Sequence, residues 1–417
     1  MKIIFIINDF LMGGVETYLL RIFKWCYSKQ IESVLVVDTV CNFDCQTKET
    51  INKYQVKVIE LNFIKPKSED LLEVNKEIAS SKNTILLSFK IKAFFLGDLI
   101  IRKNKNIENL NHYYYVLHPS ITSVSPNPVI DGIYKIIFKN IVKSMIANRN
   151  VFFMDEQTRN YCMNRFNLDS NDAGVNEVKI IRLGMEINNK VDIKNLEERA
   201  VAENPNILTM LRFDFPFKGY VIGLIHSFVK LKEKYPKIKL TIVGFGKSYS
   251  RVVEEISKIS EEYRKDIVLL DKIDYENLDS VFKTATVYVG MGTTVLDATS
   301  RGVISIVASA FQYEDFSTGF FYEDFRVVGK ILGEAGSDKF KFHDLMEEVL
   351  EMDKAIYMEN TLKSYQLYVE NYNIDVVMEE IISMPLNLKK GMPMSRGRKY
   401  IALMTTVAQS LYKRKAV

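Results

Sequence analysis

Short, almost wholly apolar runs, each followed by a helical pattern, recur along this chain in two separate series. The first run, Lys2 to Ile7, shows no polar alternation after its lysine. A strand that reads this way is covered on both faces, as strands of parallel sheets are. Ser33–Val37, Lys57–Leu61, Thr84–Leu87, Tyr113–Leu117 and Ser144–Ile146 continue the series, which closes near Val178–Gly184. The charged stretch Glu186–Glu203 reads as linker and surface. The alternation then restarts with Asn206–Leu211, Lys239–Val243, Ile267–Leu270, Thr286–Val289 and Ile304–Ala308. Helices are expected between them, among others over Lys218–Lys234 and Ser248–Arg264. At 417 residues the chain is also too long for one core. The expectation is an α/β protein of two doubly wound, Rossmann-like domains facing a ligand-binding cleft, at 1–187 and 188–384, with a separate tail at 385–417.

Composition narrows the function. A hydrophobic content of 47% with 26% charged residues is globular. A net charge of +4, without any RNP, zinc-finger or basic-zipper pattern, gives no case for nucleic acid. Cys26, Cys41, Cys45 and Cys162 lack a second ligand pair at metal spacing and read as reduced structural thiols. The first residues turn polar at Asn8 and Asp9, too soon for a signal peptide, and no apolar run reaches a membrane span. A cytoplasmic protein is expected.

The tail differs in character. From Pro385 onward it carries eight Lys or Arg and no acid. Tyr400, Leu403, Met404, Val407, Ala408 and Leu411 fall on one helical face between the basic clusters. Such a segment suits an anionic membrane surface, and equally a helix docked on the protein itself. Tyr134–Lys143 also mixes lysines with apolar groups at helical spacing, which fits a membrane-facing helix or a buried one with snorkelling lysines.

Two stretches carry chemistry. Arg212-Phe213-Asp214-Phe215-Pro216-Phe217-Lys218-Gly219 joins an apolar strand to a long helix. Ligands of open α/β sheets bind outside the carboxyl ends of strands. There, a guanidinium fork and an ammonium point charge can hold a diphosphate without a metal. The second stretch, Val289-Gly290-Met291-Gly292-Thr293-Thr294-Val295-Leu296-Asp297, is a strand end, a glycine turn and a helix start. Gly292 and the first-turn N–H groups can approach a phosphate, Thr293 or Thr294 can cap the helix, and Asp297 can accept a ribose diol. A capped helix with Asp297 as a favourable first-turn charge is the plainer alternative.

With Met12-Gly13-Gly14-Val15-Glu16 and Val243-Gly244-Phe245-Gly246, these stretches occur in an order that resembles the retaining GT-B glycosyltransferases of family 4. The resemblance spans residues 1 to about 310. It implies the GT-B fold, with a C-terminal helix crossing back to the first domain. It implies a hexosyltransferase whose donor is a nucleotide-diphosphate sugar, expected to be UDP-linked, and whose acceptor is a growing, lipid-linked surface glycan. Arg212 and Lys218 match the residues that hold the diphosphate. Gly292, Thr293 and Thr294 match the loop touching the donor phosphate or sugar. Asp297 matches the second acid of the family's E-x7-E motif, which binds ribose, and Gly14 matches a glycine facing the phosphates. Gly244 opens a turn able to cradle phosphate, although a tight turn after a strand accounts for it equally well. His118 matches a catalytic histidine facing sugar and acceptor, and Glu16 is an acceptor-side candidate. No metal or other cofactor is implied, and the chain has no D-x-D triplet.

One departure stands out. The first acid of E-x7-E would fall at position 289, which is Val289. Two alternatives therefore accompany the transferase: a nucleotide-sugar-binding subunit with weak turnover, and a UDP-sugar epimerase. Only four histidines are present, which argues against the epimerase.

Overall fold

The computed structural model describes residues 1–8, 10, 14–39, 41, 43–63, 66–104, 107–117, 128–168, 177–187, 191–273 and 277–384. It divides into two compact units. The first runs to Met185 and resumes at Ile374, and the second is Glu186–Asn373.

The first unit opens with β1 (Lys2–Ile7), α1 (Gly14–Ser28), β2 (Glu32–Asp38), α2 (Cys45–Lys53), β3 (Lys57–Leu61) and α3 (Ser68–Ala79). It continues with β4 (Thr84–Ser88), α4 (Ile91–Lys103), β5 (Leu110–Val116), α5 (Pro128–Ala147), β6 (Val151–Phe153) and α6 (Glu156–Arg165). The strands form one parallel sheet in the order β3-β2-β1-β4-β5-β6. The continuous apolar run of β1 now has its cause. Ile3, Phe5 and Ile7 enter the core on one face, and Ile4 and Ile6 enter the core on the other. Period-two geometry sends successive side chains to opposite faces, so both sets must be apolar.

The second unit holds α7 (Ile193–Ala200), β7 (Asn206–Arg212), α8 (Tyr220–Lys234), β8 (Lys239–Phe245), α9 (Tyr249–Ser257), α10 (Glu261–Arg264) and β9 (Ile267–Leu270). After these come α11 (Leu278–Phe282), β10 (Val287–Gly290), α12 (Thr293–Thr299), β11 (Ile304–Ala308), β12 (Phe316–Phe320), β13 (Phe340–Lys341), α13 (Phe342–Glu351) and α14 (Lys354–Tyr372). Its sheet order is β13-β12-β11-β10-β7-β8-β9. The strands from β9 through β11 pair in parallel, and β12 and β13 add antiparallel edges. In each unit the order reverses once, at β1/β4 and at β7/β10. Those are the topological switch points at whose carboxyl ends ligands bind.

The chain then returns to the first unit as α15 (Ile374–Ile382). Val377, Met378 and Ile381 join the core that contains Tyr18, Leu19 and Trp25 of α1. Trp25 Nε1–H donates to Asp375 at 2.9 Å, and Lys29 pairs with the same carboxylate at 2.8 Å. The hydrogen bond from Lys29 is the main reason the Asp375 pKa is lowered. The helix expected to cross back to the first domain at the end of 188–384 is thus α15, which buries its apolar face in the first unit.

Three expectations need correction. Ser144–Ile146 is not a strand but the last turn of α5. Ile141, Val142, Met145 and Ile146 bury the three- and four-residue periodicity of a helix, and β6 starts only after Arg149 turns the chain at φ 57°. Ser248–Arg264 splits into α9 and α10. The supposed linker contains α7, whose buried Arg199 donates to the carbonyls of Ala285 and Arg301 and so ties the segment to the unit. No helix among the described residues is long and apolar enough to cross a membrane. The tail 385–417 lies outside the described residues.

Candidate functional site

The carboxyl end of β7 is built as a braced platform. Phe213 N–H donates to Phe245 O at 2.7 Å, and Ser248 N–H donates to Phe213 O at 3.1 Å, so the loops after β7 and β8 are hydrogen-bonded together. The missing Cβ of Gly244 would sit 2.5 Å from Leu211 O and against the Phe213 ring. Its glycine is thus required by strand packing, and this buried position does not open toward a phosphate. Turns from Lys218 N–H to Asp214 O (3.0 Å) and from Gly219 N–H to Pro216 O (3.1 Å) lead into α8. On α8, Gly219 and Gly223 lie so close to the loop after β11 that a Cβ would fall 2.4 Å from Gln312 O and 1.9 Å from Glu314 O. Arg251 of α9 completes the bracing. Its guanidinium stands 4.1 Å from the Tyr313 ring centre and 5.7 Å from that of Phe215.

This frame holds two cations. Arg212 is the last residue of β7; its side chain is half in solvent and pairs with Asp214 Oδ2 at 3.0 Å. An exposed pair like this contributes only about 0–1 kcal/mol, so an anion can displace Asp214 readily. Lys218 differs. It is half-buried, and among the described residues its ammonium has no hydrogen bond or ion pair. Burial pushes its pKa down to about 8, the neighbouring Arg212 charge pushes the same way, and Asp214 opposes them weakly. An unpaired, desolvated ammonium beside a guanidinium costs folding energy unless an anion arrives. Such a group is a candidate ligand contact.

The turn after β10 adjoins this platform, since β10 and β7 are sheet neighbours, with strands about 4.8 Å apart. Gly292 takes φ 72°, a left-handed conformation that favours glycine, and it faces open space. Its N–H donates to Val328 O at 2.5 Å, which anchors the turn. Thr293 and Thr294 open α12, and the Thr294 hydroxyl donates to Met291 O at 3.1 Å. Asp297 lies deeper than expected. It is 7% exposed, and its Oδ1 is 3.9 Å from Arg301 Nη1, while Arg301 Nε donates to Asp279 at 2.6 Å. Any sugar hydroxyl reaching Asp297 meets a carboxylate already held by Arg301.

Val289 is the clearest structural surprise. It lies inside β10, opposite Ile306 of β11, and its side chain is fully buried in the core. The spacing that placed an acid of a donor loop at 289 thus points into the middle of a strand. Sugar contacts from this position are excluded by the fold, not by a lost side chain.

In the first unit, Gly14 is the exposed first residue of α1. Glu16, two residues on in the same turn, is buried and lies 3.7 Å from Lys90 Nζ at the start of α4. These two residues follow β1 and β4, the pair at that unit's switch point. His118, with Met12 and Gly13, lies outside the described residues. Arg212, Lys218 and the Gly292–Thr294 turn are the expected residues that the second unit gathers at one sheet edge. Sequence reading missed Lys90, Arg251 and Phe311. A systematic look at the loop after every strand on either side of a switch point would have raised Lys90.

Residues 192–322 match the family model described as glycosyl transferases group 1. No curated protein sequence matches the chain significantly. Its structure is similar to that of Anabaena HepE crystallised with UDP and glucose, at 15% identity and a TM-score of 0.58, covering 92% of this chain and 98% of that one. A glycosyltransferase from Rickettsia africae is similar at 13% identity and a TM-score of 0.60, with 91% and 96% covered. An Escherichia coli trehalose-6-phosphate structure bound with UDP-2-fluoro glucose is similar at 13% identity and a TM-score of 0.55, with 92% and 98% covered. The fold is GT-B: two α/β units with parallel sheets, matched along nearly the full chain.

Proposed function

We propose that this chain is a hexosyltransferase that takes a sugar from a nucleotide-diphosphate donor and passes it to a growing glycan. The observation that carries this reading is the half-buried Lys218, unpaired among the described residues, beside Arg212 at the carboxyl end of β7, inside the matched segment 192–322. The UDP and UDP-sugar held by structural neighbours favour a uridine donor.

The chemistry follows from charge. As the bond from the anomeric carbon to the donor oxygen breaks, negative charge grows on the β-phosphate. Cations fixed in advance stabilise that charge most in the transition state. Lys218 is already partly desolvated, so it needs less reorganisation than an ammonium in bulk water. Arg212 swings from an exposed carboxylate to the phosphate. No metal is needed in this scheme, because the two cations and the Gly292–Thr294 turn carry the leaving-group charge. The acceptor hydroxyl attacks from the side the diphosphate leaves, the departing phosphate takes its proton, and configuration is retained. His118 and Glu16 are assigned to the sugar and acceptor side. Asp297 is assigned to the ribose, and Gly14 to the donor phosphates. The acceptor is proposed to be lipid-linked and destined for a surface polysaccharide. The basic tail would bring the enzyme to an anionic membrane surface from the cytoplasmic side.

The weak-subunit alternative still rests on Val289, a core strand residue that supplies no acid to a donor sugar. The test is a thermal-shift panel of UDP, UDP-glucose, UDP-galactose, UDP-N-acetylglucosamine and GDP-mannose, with and without EDTA. A ligand at a hundred times its Kd should stabilise by about 2.7 kcal/mol, and chelator should leave the shift and donor hydrolysis unchanged. No shift with any of these nucleotides would defeat the reading. Loss of shift and hydrolysis in EDTA would defeat its metal-free part.

A further inference from the structure

Phe311, in the loop after β11, is held in a conformation that a bulky residue avoids. Its φ is 60°, in the left-handed region. The residue is nevertheless 48% exposed, so core packing does not explain the strain. The backbone is pinned at Ala310 and at Phe311 itself. Ala310 N–H donates to Lys330 O at 2.6 Å, Leu332 N–H donates to Ala310 O at 3.1 Å, and Phe311 N–H donates to Phe217 O at 3.0 Å. The Phe311 ring meets the Phe217 ring edge to face, with centres 5.1 Å apart. Phe217 directly precedes Lys218. The fold therefore holds a strained, exposed aromatic residue beside the loop that carries Lys218, and strain of this kind persists only where the surroundings enforce it.

We infer that Phe311, backed by Phe217, is a stacking platform for the apolar C–H face of a pyranose ring. The inference rests on the proposed function and names what lies beside the diphosphate. An aromatic face offers a sugar ring area and orientation without hydrogen bonds. This supplies sugar contact at a site where position 289 supplies none. The ring belongs either to the donor's sugar or to the terminal sugar of the acceptor. Both present the same chemistry, and kinetics separate them.

The test uses the full chain and compares Phe311→Gly, Phe311→Ala and Phe311→Tyr. Phe311→Gly removes the ring while relieving the strained φ, so it should melt at or above the wild-type temperature. Binding of UDP and of the tightest-binding UDP-sugar is measured by calorimetry, and KM for a glycan acceptor by turnover. UDP affinity should stay within twofold. If the donor sugar stacks, the glycine variant weakens UDP-sugar binding about tenfold. If the acceptor stacks, its KM rises about tenfold with donor affinity kept. Phe311→Tyr should restore either loss. Unchanged UDP-sugar affinity together with unchanged acceptor KM in the glycine and alanine variants would overturn the inference. An equal loss of UDP and UDP-sugar affinity would overturn it too, because the ring would then be bracing the Lys218 loop. A wild-type protein that binds no UDP at all would instead defeat the functional reading beneath it.

Discussion

Lys218→Ala is expected to lower turnover by about a hundredfold or more while the protein keeps its fold. Removing one preorganised donor from a site where charge develops costs roughly 10²–10³ in rate. Lys218 meets the conditions for the upper part of that range, being desolvated and having no competing protein partner among the described residues. The same features predict a stability change of the opposite sign. An ammonium buried beside Arg212 opposes folding, so its removal should leave the melting temperature unchanged or raise it. Donor turnover and thermal melting on one preparation check both halves. Turnover within threefold of wild type would remove Lys218 from the chemistry. A large drop in melting temperature would make it a structural residue.

The affinity for UDP should be flat with pH up to about 8 and then fall toward tenfold per unit. The Lys218 pKa is lowered from its ordinary value to about 8, with burial as the main cause. A diphosphate binds the protonated form, and UDP is fully ionised well below pH 8. Above pH 8 binding must therefore draw a proton from solvent. Calorimetry in two buffers of different ionisation heat should show uptake approaching one proton at pH 9. Lys218→Met should weaken binding and abolish both the uptake and the slope. The free protein behaves in the matching direction. Between about pH 8 and the ordinary lysine pKa, the unfolded chain binds more protons at this residue than the folded one. Its contribution to stability thus rises with pH across that window. A pH-independent affinity from 7 to 9.5 would contradict the desolvated-ammonium account.

The parallel strands were legible because burial on both faces of a sheet leaves unbroken apolar runs. Lys57–Leu61, Ile267–Leu270 and Ile304–Ala308 match their strands residue for residue. The same rule failed at Ser144–Ile146, where a short apolar run inside a buried helix looks like a buried strand. The antiparallel edge strand β12 was not read at all, since Phe316-Ser317-Thr318-Gly319-Phe320 is polar at its centre. Its Ser317 hydroxyl is satisfied by Val307 O, a partner visible only in three dimensions.

The candidate site was half legible. The charges of Arg212 and Lys218 and the glycines of the β10 turn are sequence features, and their placement at neighbouring strand ends follows from topology. What separates the two cations does not appear in the sequence. Arg212 is exposed and paired, whereas Lys218 is half-buried and unpaired among the described residues, and that contrast assigns their roles. Val289 shows the converse failure. Motif spacing counted residues correctly, but the chain spends that position on the core of β10, and only the strand register with Ile306 reveals it. Phe311 carries no sequence signal of strain, because a φ of 60° is a property of the folded loop.

The measurement closest to the central claim is a crystal structure of the full chain grown with UDP. The account predicts a β-phosphate oxygen about 2.7–2.9 Å from Lys218 Nζ, with the Arg212 guanidinium turned from Asp214 to the same diphosphate. A well-ordered UDP bound elsewhere, with Lys218 still unaccompanied and Arg212 still on Asp214, would contradict it.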